Sequence, residues 1–386
     1  MFDQIKKNIP RFTLRTAFIS LVVLSFVFAV TSMLTHGYRR EVRNAQALIE
    51  NYKATVSTSL YGDRDFVVRP SMPITGPWAY SFGRLFMPIR TIEIKNAKLG
   101  DEAWETMGKL DDPMILVLED CQITTSGPTF SRMPRLWRIH LRRTNVTAAQ
   151  MGEIAQLDNL QDLRFDGCND EPFRWLDQLC FVSRVRKIYF NHYVISHAQL
   201  QTLTDGMWYR IDLSNSHIDL GRLEELPPNN QYTQYMSVLK PHLAESMRRE
   251  DLPRFCAHDY GLANTNVGDQ FVAKMLFQDN YYDLDLSGTN ISDDTLELLG
   301  TVSHPVRRLA FNDTNVTDDG LRHLFKMEIE EDIELFGTQV TRRSLDDLEK
   351  LGRGNCPSYD KLKAAIEAHL FTSTLKQKGQ QVPGGR

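Results

Sequence analysis

The sequence lacks the short motifs that mark the common catalytic and nucleotide-binding sites. Its 386 residues contain no H-E-x-x-H, no G-x-S-x-G, no phosphate-binding G-x-x-x-x-G-K-S/T and no G-x-G-x-x-G. Cysteine is scarce at five residues, and no two are spaced C-x-x-C as in zinc or redox sites. A large excess of one charge is also missing, because the net charge is only −4. We therefore predict no enzymatic activity, no metal ion or cofactor, and no nucleic-acid partner.

An internal repeat dominates what the sequence does contain. Its clearest copy is LDLSGTNISDDTLELL at residues 284–299, followed by LAFNDTNVTDDGLRHL from Leu309 and IELFGTQVTRRSLDDL from Ile333. Earlier copies are IHLRRTNVTAAQMGEI from Ile139, IYFNHYVISHAQLQTL from Ile188 and IDLSNSHIDLGRLEEL from Ile211. A fixed period of about 23–25 residues indicates a solenoid of stacked units.

Each unit predicts a short strand followed by a turn and a helix. Two apolar residues two positions apart, such as Leu284 and Leu286, suit a strand with one buried face. A Ser or Thr then precedes an apolar pair at helical spacing, such as Leu296 with Leu299. The segments 147–150 (TAAQ) and 196–199 (SHAQ) both match the capping box of a helix N-terminus.

This pattern resembles the leucine-rich repeat, in the variant with T-x-V/I-T/S-D after the strand that ribonuclease-inhibitor-like and F-box-associated repeats carry. The resemblance implies an α/β leucine-rich repeat solenoid, or horseshoe, that binds a partner. The second apolar strand position marks about eleven units: Ile94, Leu118, Leu141, Phe165, Phe190, Leu213, Val238, Leu262, Leu286, Phe311 and Leu335. Val238 has no visible motif around it and is included because it falls midway between Leu213 and Leu262.

The N-terminal region predicts one membrane anchor. Residues 17–35 carry no charge, are mostly apolar and would span about 28 Å as a helix. A cleaved signal peptide is the alternative. The opening RFTLRTAF and the apolar run also resemble a group of bacterial membrane-anchored leucine-rich repeat proteins. Four basic residues precede the span and three follow it closely, so the positive-inside rule places the repeats outside the cytoplasm.

The ends of a solenoid need caps, and this sets the remaining boundaries. We predict a short basic segment at 1–16, the transmembrane helix at 17–35 and a juxtamembrane helix with an N-terminal cap at 36–88. The leucine-rich repeats follow at 89–351, then a C-terminal capping helix at 352–371 and a flexible tail at 372–386. The oligomeric state stays open.

Two groups of reactive side chains have structural interpretations. Cys121 and Cys168 occupy the turn position that Thr fills in other units, and their two-unit separation of about 10 Å excludes a disulfide. The acidic pairs Asp293-Asp294 and Asp318-Asp319 follow helix caps, where negative charge favours the helix dipole. We predict neither a redox site nor a catalytic carboxylate pair from them.

The outward positions of the central strands provide the candidate partner site. They form a basic patch with one aromatic residue, which we predict to lie on the concave face. The predicted site consists of Arg138, His140, Arg142, Arg164, Lys187, Tyr189, Asn191, Arg210 and Asp212. Arg and Tyr are common anchors at protein interfaces, although these charges can instead pair with each other across units.

The leading hypothesis is a membrane-anchored recognition or scaffold protein that binds another protein on this face. Two alternatives remain. The same patch could bind an anionic glycan or surface polymer, and an enzymatic site could lie in the irregular unit at 227–254.

Overall fold

The chain forms a solenoid of parallel strands in a computed structural model. The structure describes Ser25 and residues 40–57, 90–110, 113–219, 257–276 and 283–377, with gaps at 42, 177, 180–183, 207 and 302–304. Eleven strands form one sheet in the order β1-β2-β4-β6-β7-β8-β10-β12-β13-β14-β15. β1 is antiparallel to β2, and the other neighbours in this sheet are parallel.

The strands are short, as one turn of a repeat allows. The bounds of the main sheet are β1 Thr55–Ser57, β2 Thr91–Lys95, β4 Ile115–Glu119, β6 Arg138–Arg142, β7 Asp162–Asp166, β8 Lys187–Asn191, β10 Arg210–Asp212, β12 Asp259–Gly261, β13 Asp283–Asp285, β14 Val306–Ala310 and β15 Ile329–Glu334. Two small parallel pairs lie beside it: β3 Lys98–Leu99 with β5 Gln122–Ile123, and β9 Val194–Ile195 with β11 His217–Ile218.

One row of apolar residues runs through ten strands in register and forms the centre of the core. Each member pairs with the next across the ladder, and all are almost fully buried. The row is Ile92, Leu116, Ile139, Leu163, Ile188, Ile211, Tyr260, Leu284, Leu309 and Ile333. The alternating side chains of the same strands leave the core, which confirms the period-2 pattern read from the sequence.

The helices pack on the other side of this core. Their bounds are α1 43–52, α2 Asp101–Gly108, α3 Ala148–Ala155, α4 Glu171–Arg174, α5 His197–Asp205, α6 Asp269–Leu276, α7 Asp293–Leu299, α8 Asp318–Leu321, α9 Arg342–Leu351 and α10 Tyr359–Gln377. Both predicted capping boxes are present, at Thr147 with Gln150 and at Ser196 with Gln199.

A left-handed residue ends each strand at the same repeat position. It lies two residues after the apolar marker of its unit and turns the chain toward the helix side. The ten residues are Asn96, Asp120, Arg143, Gly167, His192, Asn215, Asn264, Gly288, Asp313 and Gly337, all with φ between 45° and 74°. Asn, Asp and Gly tolerate this conformation best, so Arg143 is the least expected member.

Aspartates bind successive C-terminal units together. Asp269 accepts hydrogen bonds from the backbone and hydroxyl of Ser292, both at 2.8 Å, and Ser292 caps the next helix. Asp293 does the same with Thr317, at 2.7 and 2.6 Å, and Asp318 with Thr341, at 2.7 and 2.5 Å. The structural interpretation of Asp293 and Asp318 is therefore supported, but their main contact is the following unit rather than their own helix dipole.

The prediction that a repeat unit at Val238 adds a strand between β10 and β12 is wrong. β10 pairs directly with β12, with Ile211 opposite Tyr260. In the turns that follow them, Asn264 donates to the side-chain oxygen of Asn215 at 3.0 Å. Asn266 bonds both backbone groups of Ile218, at 2.7 and 2.8 Å. The gap from Leu213 to Leu262 equals two periods by length but one step in the sheet. Val238 itself lies outside the described residues.

Each end of the ladder is covered. At the N-terminal end, α1 buries Ala45 and Leu48 in the common core and β1 covers the edge of β2. At the C-terminal end, α10 buries Leu362 and Ile366. That helix continues to Gln377, beyond the predicted end at 371, so the first part of the predicted tail is helical.

The predicted membrane span lies outside the described residues apart from Ser25. Within the described ranges, no helix combines the length and apolar character needed to cross a bilayer.

Candidate partner-binding face

The strand face is the side of the main sheet that points away from the core. All nine predicted site residues lie on it, on the four adjacent strands β6, β7, β8 and β10. Three strand steps of about 4.8 Å make this region about 15 Å wide. The structure therefore brings together residues that are up to 74 positions apart in the chain, from Arg138 to Asp212.

A buried carboxylate organises the basic residues of β6 and β7. Asp162 is only 1% exposed and accepts from Arg138 Nε at 2.8 Å. Arg164 donates to the same carboxylate from Nε at 2.9 Å and from its terminal nitrogen at 3.1 Å. One anion therefore holds both guanidinium groups, as expected if the charges of this face pair with each other across units.

A second set of ion pairs fixes the next row of the face. Arg142 lies 3.1 Å from Glu119 on β4 and 3.1 Å from Asp166 on β7. Glu119 also contacts Lys95 at 3.0 Å. These pairs cross from one strand to the next, so they fix side chains that would otherwise be mobile at the surface.

Tyr189 is a support of the face rather than an exposed contact. Its ring lies between the guanidinium groups of Arg164, at 4.1 Å, and Arg210, at 5.6 Å, and it is 8% exposed. Burial raises the pKa of its phenol, which keeps the group neutral. Asp212 is equally buried, and it bonds Arg210 at 3.2 Å and the backbone of Ser214 at 3.1 Å. The prediction that both residues face solvent is wrong.

His140 is an uncharged residue between charged neighbours. Burial lowers its pKa from 6.5 to about 4, and the positive charge of Arg164 acts in the same direction. At neutral pH it therefore offers ring nitrogens for hydrogen bonding without adding to the basic charge. The patch is less cationic than its composition suggests.

Two cations of the site keep bonding capacity. Lys187 has no carboxylate partner in the described part of the chain, and its amine lies 5.9 Å from the ring centre of Tyr209. Arg210 is directly opposite it in the ladder and has a buried Nε without an acceptor. Asn191, on the same strand as Lys187, has a buried side-chain oxygen without a donor.

The adjoining strand contributes a carboxylate that the sequence interpretation missed. Asp259 of β12 pairs in register with Arg210 and Asp283, is 2% exposed, and has one oxygen without a hydrogen-bond donor. Burial and the charge of Asp283 raise its pKa to about 6. Asp259 lies two residues before Gly261 and in register with Asp283, and this repeat position could have identified it as a residue of the strand face. A Cβ on Gly261 would meet Asp212 at 2.5 Å, so this position stays small.

The described residues hold no group of three or more His, Cys, Asp or Glu side chains arranged to bind a metal ion. Cys121 and Cys168 are free thiols that donate to the backbone oxygens of Ile94, at 3.4 Å, and Leu141, at 3.2 Å. The possible enzymatic unit at 227–254 lies outside the described residues.

Fold and face together define an α/β solenoid of stacked strand–turn–helix units with an ordered polar sheet surface. No protein-family model matches the sequence, and no curated protein matches it. Solved structures similar to the chain include internalin C2 from Listeria monocytogenes, with 15% identity over 53% of this chain and 73% of that one, at a TM-score of 0.31. A plant ice-binding protein shares 14% identity over 66% and 76% of the two chains, at a TM-score of 0.37.

A third similar structure, the internalin inlF of Listeria monocytogenes, shares 14% identity over 67% of this chain and 84% of that one. Its TM-score is 0.30. The fold assignment therefore rests on the strand ladder and the buried core of the chain itself.

Proposed function

We propose that the chain is a membrane-anchored recognition or scaffold protein whose strand face binds another protein. The observation that carries this proposal is the ordered polar surface across β6, β7, β8 and β10. Three of its cations, Arg138, Arg142 and Arg164, are held by carboxylates before any partner arrives. A surface ordered in advance loses little conformational entropy on binding. Open solenoids commonly bind through this face.

The sequence supports the rest of this proposal. The T-x-V/I-T/S-D pattern favours the ribonuclease-inhibitor-like or F-box-associated repeat variant. The uncharged run at 17–35 supports anchoring, and the slight excess of basic residues before it favours repeats outside the cytoplasm. No catalytic step is part of the proposal.

The membrane orientation can be tested by labelling an engineered thiol. Arg342 lies on the exposed side of α9 with 83% of its side chain accessible, so Arg342→Cys gives a reporter on the repeat domain. An impermeant maleimide should label this variant in intact cells more strongly than the parent chain. Labelling that appears only after lysis would place the repeats in the cytoplasm instead.

The binding face can be tested with photo-crosslinking side chains. Benzoylphenylalanine would replace Lys187 or the 39% exposed Phe336 on the strand face, and Arg342 on the helix side as the control. We expect one crosslinked protein from the two strand-face positions and none from Arg342. Equal crosslinking from both sides would contradict the proposal.

An anionic glycan remains the second candidate, because Lys187 and Arg210 keep unused bonding capacity. Binding of an anionic polysaccharide, with a steep loss of affinity at high salt and no crosslinked protein, would favour it.

A further inference from the structure

The strand face changes its charge along the solenoid. On β6, β7, β8 and β10 the outward charges are mainly cationic: Arg138, Arg142, Arg164, Lys187 and Arg210 against Asp162, Asp166 and Asp212. On β12 to β15 they are mainly anionic: Asp259, Asp283, Asp285, Asp332 and Glu334 against Arg307 and Arg308. One half of the face is therefore basic and the other half acidic.

The basic half keeps a net positive charge after internal pairing. Arg138 and Arg164 share the single carboxylate of Asp162, and Arg142 lies between Glu119 and Asp166. Lys187 has no carboxylate at ion-pair distance in the described ranges, and Arg210 contacts Asp212 at 3.2 Å and the ring of Tyr189 at 5.6 Å. The two residues are opposite each other on neighbouring strands, and Asp259 follows Arg210 on β12. Like charges directly opposite each other are unfavourable, and Asp212 and Asp259 offset this repulsion from the side of Arg210, so Lys187 is the cation that fits a carboxylate from outside.

Internal pairing leaves negative charge at the other end. Among the described residues, Asp285 accepts from the backbone of Ser287 alone, at 3.0 Å, and Asp332 from the backbone of Ile333 alone, at 2.9 Å. Glu330 and Glu331 are exposed next to Asp332, and neither forms an ion pair within 4.0 Å in the described ranges. Between the two regions lies Asp259, almost fully buried, with an oxygen that receives no hydrogen bond.

The distance between the two charged regions is set by the ladder. Arg210 lies on β10, and Asp332 on β15 is four strand steps away. At about 4.8 Å for each step, the positive pair and the acidic end lie about 19 Å apart. An extended peptide covers that distance with about six residues.

We infer that the partner presents a protein segment with an acidic block and a basic block about 19 Å apart. The acidic block lies over Lys187 and Arg210, and the basic block over β13 to β15. This inference rests on the proposed function and adds the chemistry of the partner. Opposed charges on one face fix the register of the bound segment, since sliding by one block places like charges together.

Peptide binding to the purified full-length chain tests this inference. The probe is a fluorescent peptide with four Glu, six Gly/Ser residues and four Lys. Its main control has the same composition with Glu and Lys alternating on both sides of the spacer. Further controls are an all-Glu peptide, an all-Lys peptide and the two blocks joined without a spacer. Fluorescence polarisation at 50 and 150 mM salt measures the affinities.

The block peptide should bind at least tenfold more tightly than the alternating peptide and than the form without a spacer. Lys187→Glu should reduce its affinity tenfold or more, and Lys187→Gln should reduce it less. Arg342→Glu on the helix side is the matched control and should change nothing. Thermal unfolding followed by circular dichroism verifies that each variant is folded.

The inference would be overturned by equal affinity for block and alternating peptides, by equal affinity for the all-Glu peptide, or by a dimer of the chain that Lys187→Glu dissociates. A protein crosslinked from Lys187 that the block peptide fails to displace also overturns it, and in that case the proposed function stands. If the crosslinking side chain gives no crosslinked protein at either Lys187 or Phe336, the proposed function itself is contradicted.

Discussion

The replacement Asp259→Asn should change how stability depends on pH. Burial and the nearby Asp283 raise the pKa of Asp259 from 3.8 to about 6, against the opposing charges of Arg210, Arg307 and Lys187. The folded state therefore holds the proton more tightly than the unfolded chain. Stability falls as pH rises from about 4 to about 6 and is constant above that range. Two pKa units correspond to about 3 kcal/mol, which is the upper limit of the gain expected for Asp259→Asn at pH 8.

His140 acts in the opposite direction over the same range. Its pKa is lowered from 6.5 to about 4, so protonation is easier in the unfolded chain. Stability is therefore lost as pH falls from about 6.5 to about 4, again by up to about 3 kcal/mol. In the parent chain these two slopes oppose each other. The Asp259→Asn variant keeps the pH dependence of stability that His140 causes, and the His140→Gln variant keeps the one that Asp259 causes.

Urea unfolding at pH 4.5, 6 and 8, followed by circular dichroism, measures these slopes. The matched control is Asp285→Asn on the adjacent strand, whose side-chain oxygen can still accept from Ser287. We expect Asp259→Asn to gain most at pH 8 and His140→Gln to gain most at pH 4.5. A constant difference between Asp259→Asn and the parent chain at all three pH values would refute the reasoning.

Two further predictions concern the links between units. Asp318→Ala should lose about 3 kcal/mol of stability, because Thr341 and Ser344 lose a buried charged acceptor, whereas Asp319→Ala on the exposed side of the same helix should change little. Urea unfolding of the two variants checks this, and equal losses would contradict it. Gly167→Ala and Gly288→Ala both place Ala at a φ near +60°, but only at 288 does the new Cβ overlap Asn264. Gly167→Ala should therefore cost about 1 kcal/mol and Gly288→Ala clearly more; equal melting temperatures would refute the overlap.

Local repetition made the fold predictable from the sequence. The buried row, the turn residues and the caps at Thr147 and Ser196 each recur at a fixed spacing, so one clear unit predicts the others. The extra unit at Val238 failed because chain length alone does not show which strands pair. The order of the ladder depends on hydrogen bonds between Ile211 and Tyr260, and nothing near Val238 carries that information.

The site was predictable only as a set of positions. Period-2 alternation placed Arg138, Arg164 and Lys187 on one face, and the structure agrees. The sequence could not show that Asp162 binds two of these cations while Lys187 has no carboxylate at ion-pair distance in the described residues, because pairing depends on the rotamers and neighbours of each side chain. Tyr189 was assigned to the surface for the same reason, although two arginines cover its ring.

The aspartate bridges give the C-terminal half of the molecule a direction. Asp269 holds the cap of the next helix through Ser292, Asp293 holds the following one through Thr317, and Asp318 the last through Thr341. Every acceptor therefore belongs to the unit made earlier on the ribosome. A unit emerging from the ribosome finds its helix start already specified by its predecessor. Trimming the chain from its C-terminus leaves the earlier caps complete, whereas removing the chain up to and including Asp269 takes away the acceptor for the cap at Ser292.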